Sequence, residues 1–330
     1  MFQTDKSTQT LSQELGQPSS SAADKQMKTP GNKAVRWLKE NYKGYLYVMP
    51  VILGILFFTL VPMALSFYYS FFDYNVLSPP KNFGFQNYIE IFDGRRLSRD
   101  FYKSLEVTGI YTLINLPLTM ILSFFLAMFL NNEIKGIKVF RVLYYLPCVI
   151  PTVISGLLWQ NFTDYQLGLG PKWLQAMGLD WGFFREEDSC MPTLIFLNLF
   201  GLGGGMILWL AQLKQISVEM YESAALEGAG WFTKTFRITI PMCTPMIFYN
   251  FIMGIIGSFQ TFGNVFVLTG GSAGVNNSLL FYIMNVYNKA FKSNAMGYAC
   301  ALSWVLFLII GILTLIVFKT SRWVFYAEDV

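Results

Sequence analysis

Histidine is absent from all 330 residues of the chain. That absence excludes histidine-based triads, histidine general bases and HExxH zinc sites together. Charge is scarce as well. Asp, Glu, Lys and Arg make up 13% of the sequence, about half the 25% or so of an ordinary soluble domain, which points to lipid as the solvent. The four cysteines form no CxxC pair. Cys148, Cys243 and Cys300 fall inside hydrophobic runs and Cys190 in a polar loop, so neither a disulfide framework nor a metal site is expected. No GxxxxGK(S/T) phosphate loop occurs, which removes ATP binding in that mode. No basic run is dense enough, or interleaved with stacking aromatics, to suggest nucleic acid. Nothing at the N-terminus reads as a cleaved signal peptide, and residues 1–30, rich in Ser, Thr, Gln and Lys, are expected to be disordered.

What the chain does have is apolar length. Hydrophobic residues account for 54% and aromatics for 17%, with mean hydropathy +0.42. Six runs reach the roughly 20 apolar residues that cross a bilayer: 44–72, 107–130, 139–162, 192–213, 238–262 and 297–318. None alternates with period two, so strands are a poor alternative. The expected fold class is an all-α membrane protein with six transmembrane helices. Placing the N-terminus in the cytoplasm puts 15 of the 24 Lys and Arg residues on that side, as the positive-inside rule requires. The loop 73–104 objects, with Lys81, Arg95, Arg96, Arg99 and Lys103, although Asp73, Glu90, Asp93 and Asp100 offset them. The resulting division is a cytoplasmic, largely disordered tail over 1–43, a six-helix domain over 44–319 and a cytoplasmic tail over 320–330, both termini inside.

Several spans are interrupted. Pro117, Pro147, Pro151 and Pro245 lie within hydrophobic runs, and Gly201, Gly203, Gly204 and Gly205 crowd the fourth. A single glycine fits close helix packing; four within five residues favour backbone facing a cavity. The spans hold almost no ionisable residue, with Arg141 near one edge, whereas proton- and ion-coupled carriers bury such groups along their path. Uphill movement of a solute would therefore draw its energy from a partner.

Between the fourth and fifth runs lies Met220–Pro241, MYESAALEGAGWFTKTFRITIP. It is charged at its edges and small at its centre, which suits a surface helix presented to a cytosolic partner. Tyr221 to Ala229, followed by Phe236 to Pro241 and by Pro245, resembles the EAA loop of ABC importer permeases, roughly EAAxxDGA and then FxxIxLPxxxP. Ser223, Glu227 and Ile240 depart mildly from that pattern. YLYVMPVILGILFFTLVPMALSFYYSFFDYN, FGFQNYIEIFD, VFRVLYYLPCVIPTVISGLLW and LTGGS…YNKAF…GYACALSW resemble successive segments of carbohydrate-importer permeases of the maltose-permease type. The likeness thus covers nearly everything after residue 44. Departures are Ser272 where a proline is common, and a glycine-rich fourth span without the usual Trp near Asn198.

The resemblance implies a permease subunit in a prokaryotic cell membrane, importing carbohydrate, specifically oligosaccharide. It implies a second homologous permease subunit, two ATPase subunits that bind ATP and Mg, and an extracytoplasmic solute-binding protein. This chain would bind no cofactor. The coupling loop would span 214–237, with Glu222, Ser223, Ala224, Gly228 and Ala229 meeting the ATPase. Aligned on the LTGG turn, Gly254, Gly257, Ser258 and Thr261 match positions lining the family's sugar site, and Asn198, Gly201 and Gly204 would complete its wall. Gly254, Ser258 and Thr261 share a helical face at i−4, i and i+3. Alternatively, Ser258 and Thr261 only hydrogen-bond neighbouring helices, a contact of about 0.6 kcal/mol. The rival functions are an ABC permease for a non-sugar solute such as glycerol phosphate or a peptide, and an autonomous channel or facilitator. An intramembrane enzyme is weakest, since no nucleophile–base pair lies in the spans.

Overall fold

The computed structural model describes residues 44, 46–94, 96–132 and 134–324. The expected N-terminal tail over 1–43 and the chain end over 325–330 lie outside them. Every described element is helical, apart from an isolated bridge between Asp73 and Lys81. The chain divides into two units, Met1–Pro62 and Met63–Val330. Helix α1, Leu46–Tyr69, runs through the division. Its residues in the first unit are exposed, apart from half-buried Gly54.

The second unit holds α2 (Gln86–Phe92), α3 (Arg96–Leu130), α4 (Ile137–Val149), α5 (Thr152–Thr163) and α6 (Leu169–Ala176). Then come α7 (Glu187–Asn198), α8 (Gly203–Leu213), α9 (Val218–Leu226), α10 (Trp231–Lys234), α11 (Thr244–Phe259), α12 (Gly263–Leu268), α13 (Tyr282–Tyr287) and α14 (Met296–Lys319). Four stretches are long and apolar enough to cross a membrane unaided: Leu46–Tyr69, Ser98–Leu130, Thr244–Leu268 and Met296–Lys319. Two further pairs pass only as bent units, α4 with α5 at 94° and α7 with α8 at 48°. Counting each pair as one span gives six.

The breaks follow from particular residues. A proline disfavours the α region for the residue before it. Ile150, ahead of Pro151, accordingly sits at φ −70°, ψ 126°, and Pro151 itself is extended. The run 139–162, which reads as one span, is therefore two helices nearly at right angles. Gly156 fixes where the second lies, because a Cβ there would meet Val267 on α12 at 2.8–2.9 Å. The fourth run loosens into a 3₁₀ turn over Leu199–Gly201 before α8, where successive glycines offer the poorest helix propensity short of proline. In the fifth run a short helix over Ile240–Met242 stops at Cys243, and Pro245 stands in the first turn of α11, where its missing N–H costs nothing.

Helix α3 is the central post, packing against α8, α11 and α13. Trp209 on α8, 2% exposed, meets Phe124 edge-on and donates its Nε1–H to Ser123 Oγ at 3.0 Å. Gly205 belongs to the same seam, since a Cβ on it would lie 3.2 Å from that hydroxyl. Ile255 and Phe259 of α11 join Leu302 and Val305 of α14 in a second cluster. Leu194 and Leu197 of α7 join Val265 and Leu268 of α12 in a third. In lipid such contacts hold helices through close packing rather than through expulsion of water.

Candidate functional site

The breaks enclose a hollow. A cavity of roughly 1060 Å³ opens between α5, the α7–α8 break and the unwound stretch that follows α11, with Tyr111 of α3 contributing to its wall. Its polar groups are neutral: Tyr111, Thr152, Ser155, Asn161, Asn198, Thr261 and Asn264. Its flat apolar surfaces are Trp159, Phe162, Phe200 and Phe262. Trp159 and Phe200 have ring centroids 4.6 Å apart, and Phe162 meets Trp159 edge-on at 5.5 Å.

Several of these groups are held in place. Asn198 donates Nδ2–H to Asn115 Oδ1 at 3.0 Å, so one cross-helix amide pair orients the carboxyl-terminal turn of α7. The Tyr111 phenol lies beside the Thr261 side chain, and its ring stands edge-on to Phe281 at 5.0 Å. Asn264 makes no side-chain hydrogen bond with described residues, and its Oδ1 is buried without a partner. A buried acceptor without a partner costs roughly 1–3 kcal/mol. Hydroxyls and amides that both donate and accept, beside ring faces, can bind a neutral polyhydroxylated ligand.

The segment 214–237 forms a separate feature. Helix α9 starts after Ser217 with Glu219 in its first turn, where a carboxylate complements the helix dipole. Glu222, Ser223 and Gly228 are exposed, whereas Ala224 and Ala229 are half-buried. Gly228 ends the helix at φ +80°. Its N–H reaches the Ala225 carbonyl at 3.0 Å, and that of Ala229 reaches the Ala224 carbonyl at 2.9 Å, the paired bonds of a Schellman stop. Tyr221 anchors α9 to the head of the fifth run through its hydroxyl, 2.9 Å from Thr239 Oγ1. Burial pushes the Tyr221 phenol above its usual range, and the Thr239 bond partly opposes this. Leu226, 91% exposed, lies with exposed Trp231 and Phe232 on this segment.

Related proteins share this chain nearly end to end. Over 292 residues it is 36% identical to the "Probable ABC transporter permease protein YesP" of Bacillus subtilis, covering 87% of this chain and 93% of that one. It is 32% identical over 292 residues to the "Multiple sugar-binding transport system permease protein MsmF" of Streptococcus mutans, covering 87% and 98%. The chain belongs to the sugar-permease family of ABC transporters. No family profile matches it. Its fold is similar to that of a chain from a bacterial alginate ABC transporter, solved in complex with an alginate pentasaccharide-bound periplasmic protein. That likeness has TM-score 0.72 at 21% identity and covers 87% of this chain and 96% of the other. Membership of this family, together with the apolar helices, makes the permease a multi-pass membrane protein.

Within the permease, the residues singled out from sequence separate into two groups. Asn198, Gly201, Gly204 and Thr261 lie on one cavity wall. Gly254 and Ser258 do not reach it. A Cβ on Gly254 would strike Leu116 of α3, and Ser258 is 8% exposed in the α11 seam. Gly257 is exposed and also lies off the lining. The reason is local: α11 ends at Phe259, so Thr261 has left the helical face that a continuous helix would give it with Gly254 and Ser258. The glycine cluster divides likewise. Gly201 and Gly204 face the cavity, Gly203 packs on the Tyr144 carbonyl and Gly205 on Ser123. Sequence reasoning passed over Tyr111, Trp159 and Phe162. The only available signal was Trp159 at the end of the third run, inside a quoted family segment.

Proposed function

We propose that this permease is the transmembrane subunit of an ATP-driven importer of carbohydrate, and of oligosaccharide in particular. The observation that carries the reading is the pairing, in one chain, of a neutral hydroxyl-, amide- and ring-lined cavity with an exposed short helix pinned to the head of a span. A cavity of roughly 1060 Å³ stands just above the range typical of small-molecule sites, about 300–1,000 Å³, which suits more than one sugar ring. The family names supply the sugar: MsmF belongs to a multiple sugar-binding transport system.

In this reading α9 docks on an ATPase subunit, with Glu222 and Ser223 outward and the Ala224, Gly228 and Ala229 surface low enough to enter a cleft. Closure of two ATPases on ATP and Mg moves α9. The Tyr221–Thr239 contact passes that movement to the fifth span, and a second permease subunit rocks against this one around a midplane site. A solute-binding protein delivers the sugar; the alginate transporter of similar fold is in complex with a pentasaccharide-bound periplasmic protein. Six spans with both termini cytoplasmic give the loop its required side. Extracellular cysteine labelling then reaches a probe at Asn277 but none at Lys25 or Glu328.

The test is to purify the complete complex with its binding protein and measure which glycans raise its ATPase rate. A glycan that stimulates hydrolysis and accumulates in vesicles supports the reading. Uptake by this subunit in vesicles that lack the ATPases would instead make it an autonomous facilitator.

A further inference from the structure

The cavity wall favours one class of glycan over another. None of its lining residues carries a formal charge at neutral pH. What it offers is dual-character hydroxyls and amides such as Thr152, Ser155, Asn161 and Asn264, set beside Trp159 and Phe200. Such groups satisfy sugar hydroxyls, which both donate and accept, and ring faces that are apolar. A carboxylate or phosphate offers acceptors only, and its charge would rest against this wall without a cation. An unpaired charge withdrawn from water is costly unless a counter-charge meets it.

Charged groups stand outside the lining: Lys172 is exposed, and its Nζ donates to the carbonyl of the lining residue Leu167 at 3.3 Å. A second hollow of roughly 350 Å³ shares Leu268 with the cavity and contains Asp164 and Arg185. Both are already engaged: Arg185 stacks over the Tyr165 ring at 4.0 Å, and Asp164 Oδ1 accepts the Gln166 and Leu167 N–H groups at 3.0 and 2.8 Å. Glu186, Glu187 and Asp188 follow Arg185 directly and are exposed, which adds negative potential beside the one cation of that hollow.

We infer that the cargo is an uncharged glycan, and that this permease discriminates against uronate-bearing and phosphorylated solutes. Here it differs from the transporter it resembles in fold, since alginate is an acidic polysaccharide. The inference rests on reading the cavity as the carbohydrate site.

The test uses the complete permease–ATPase complex in nanodiscs without the binding protein, so that only the cavity selects. Radiolabelled tetrasaccharides of gluco, galacto and manno configuration are presented by equilibrium dialysis, each as the neutral sugar, the uronate and the uronate methyl ester. In the series that binds, the neutral and esterified forms bind at least tenfold tighter than the uronate. Asn264→Lys, which places a cation on the wall, narrows or reverses that ratio. If the uronate binds as tightly as its ester, the inference fails while the carbohydrate reading stands. If no form of any series binds, the cavity is not the carbohydrate site and both readings fall.

Discussion

The thiol of Cys148, on the last turn of α4, bridges the break between α7 and α8. Its Sγ accepts the Gly204 N–H at 3.1 Å and donates to the Gly201 carbonyl at 3.3 Å. Both backbone groups belong to the cavity wall, so a side chain from one broken span completes another. Cys148→Ser keeps a donor and an acceptor there, whereas Cys148→Val keeps the bulk and removes both. An unsatisfied backbone group costs roughly 1–3 kcal/mol. The valine variant should therefore need about tenfold more glycan for half-maximal ATPase stimulation, equivalent to about 1.4 kcal/mol, while serine stays near wild type. Cys148 is also the one exposed cysteine; Cys190 and Cys243 are buried and Cys300 half-buried. A water-soluble maleimide should label Cys148 selectively, and bound glycan should protect it. Equal stimulation curves for valine and serine, with no protection, would show that the thiol is incidental to the site.

Gly228 has two possible uses that a substitution can separate. Its φ of +80° is demanded by the helix stop, and its lack of a side chain keeps the docking surface low. Asparagine tolerates the left-handed region better than other residues, so Gly228→Asn retains the turn and adds bulk. The expected result is a complex that assembles and hydrolyses ATP at its basal rate but transports at least tenfold more slowly. Transport at the wild-type rate would mean that Gly228 serves only to end α9.

Four of the spans were legible in the sequence as single helices, because lipid imposes a length of apolar residues. The bend at Ile150–Pro151 was legible as a proline break, but its 94° angle was not. That angle depends on how closely Gly156 lets α5 approach Val267, a contact 111 residues away along the chain. The cavity was half legible. Asn198, Gly201 and Gly204 could be found because a broken helix needs somewhere to expose its backbone. Gly254 and Ser258 were grouped with Thr261 by helical spacing, which holds only while the helix lasts. Tyr111 was silent, since a lone tyrosine in an apolar run reads as packing until its neighbours from other spans are known.

An ion pair clamps the first turns of α3 to the segment beyond α13. Lys289 Nζ lies 2.6 Å from Asp100 Oδ2, and the side chains are 10% and 36% exposed. The two halves are unequal. Removing the carboxylate strands an ammonium with little access to water, whereas removing the lysine leaves an aspartate that water can reach. Hydrogen bonds to charged groups contribute roughly 1.5–3 kcal/mol, and the exposure of Asp100 discounts this toward the low end. Asp100→Ala should thus lower thermal stability in detergent more than Lys289→Met does. The opposite order would mean that the lysine finds another partner.

The last prediction divides the residues that sequence placed on one face. Thr261 lines the cavity beside Tyr111 and donates to the Gly257 carbonyl at 3.3 Å. Ser258 lies in the α11 seam at 8% exposure. Leucine at 261 removes a hydroxyl from the wall and adds an apolar branch, so uptake should fall at least tenfold while assembly and basal ATPase activity persist. Leucine at 258 instead overfills a packed contact, which typically costs about 1–3 kcal/mol. It should reduce the yield and melting temperature of the complex, and the molecules that do assemble should bind glycan with unchanged affinity. The two readouts must therefore cross over between the variants. If Ser258→Leu weakens glycan binding in a normally stable complex while Thr261→Leu leaves it intact, the binding surface lies along the helical face of α11 and not at its unwound end.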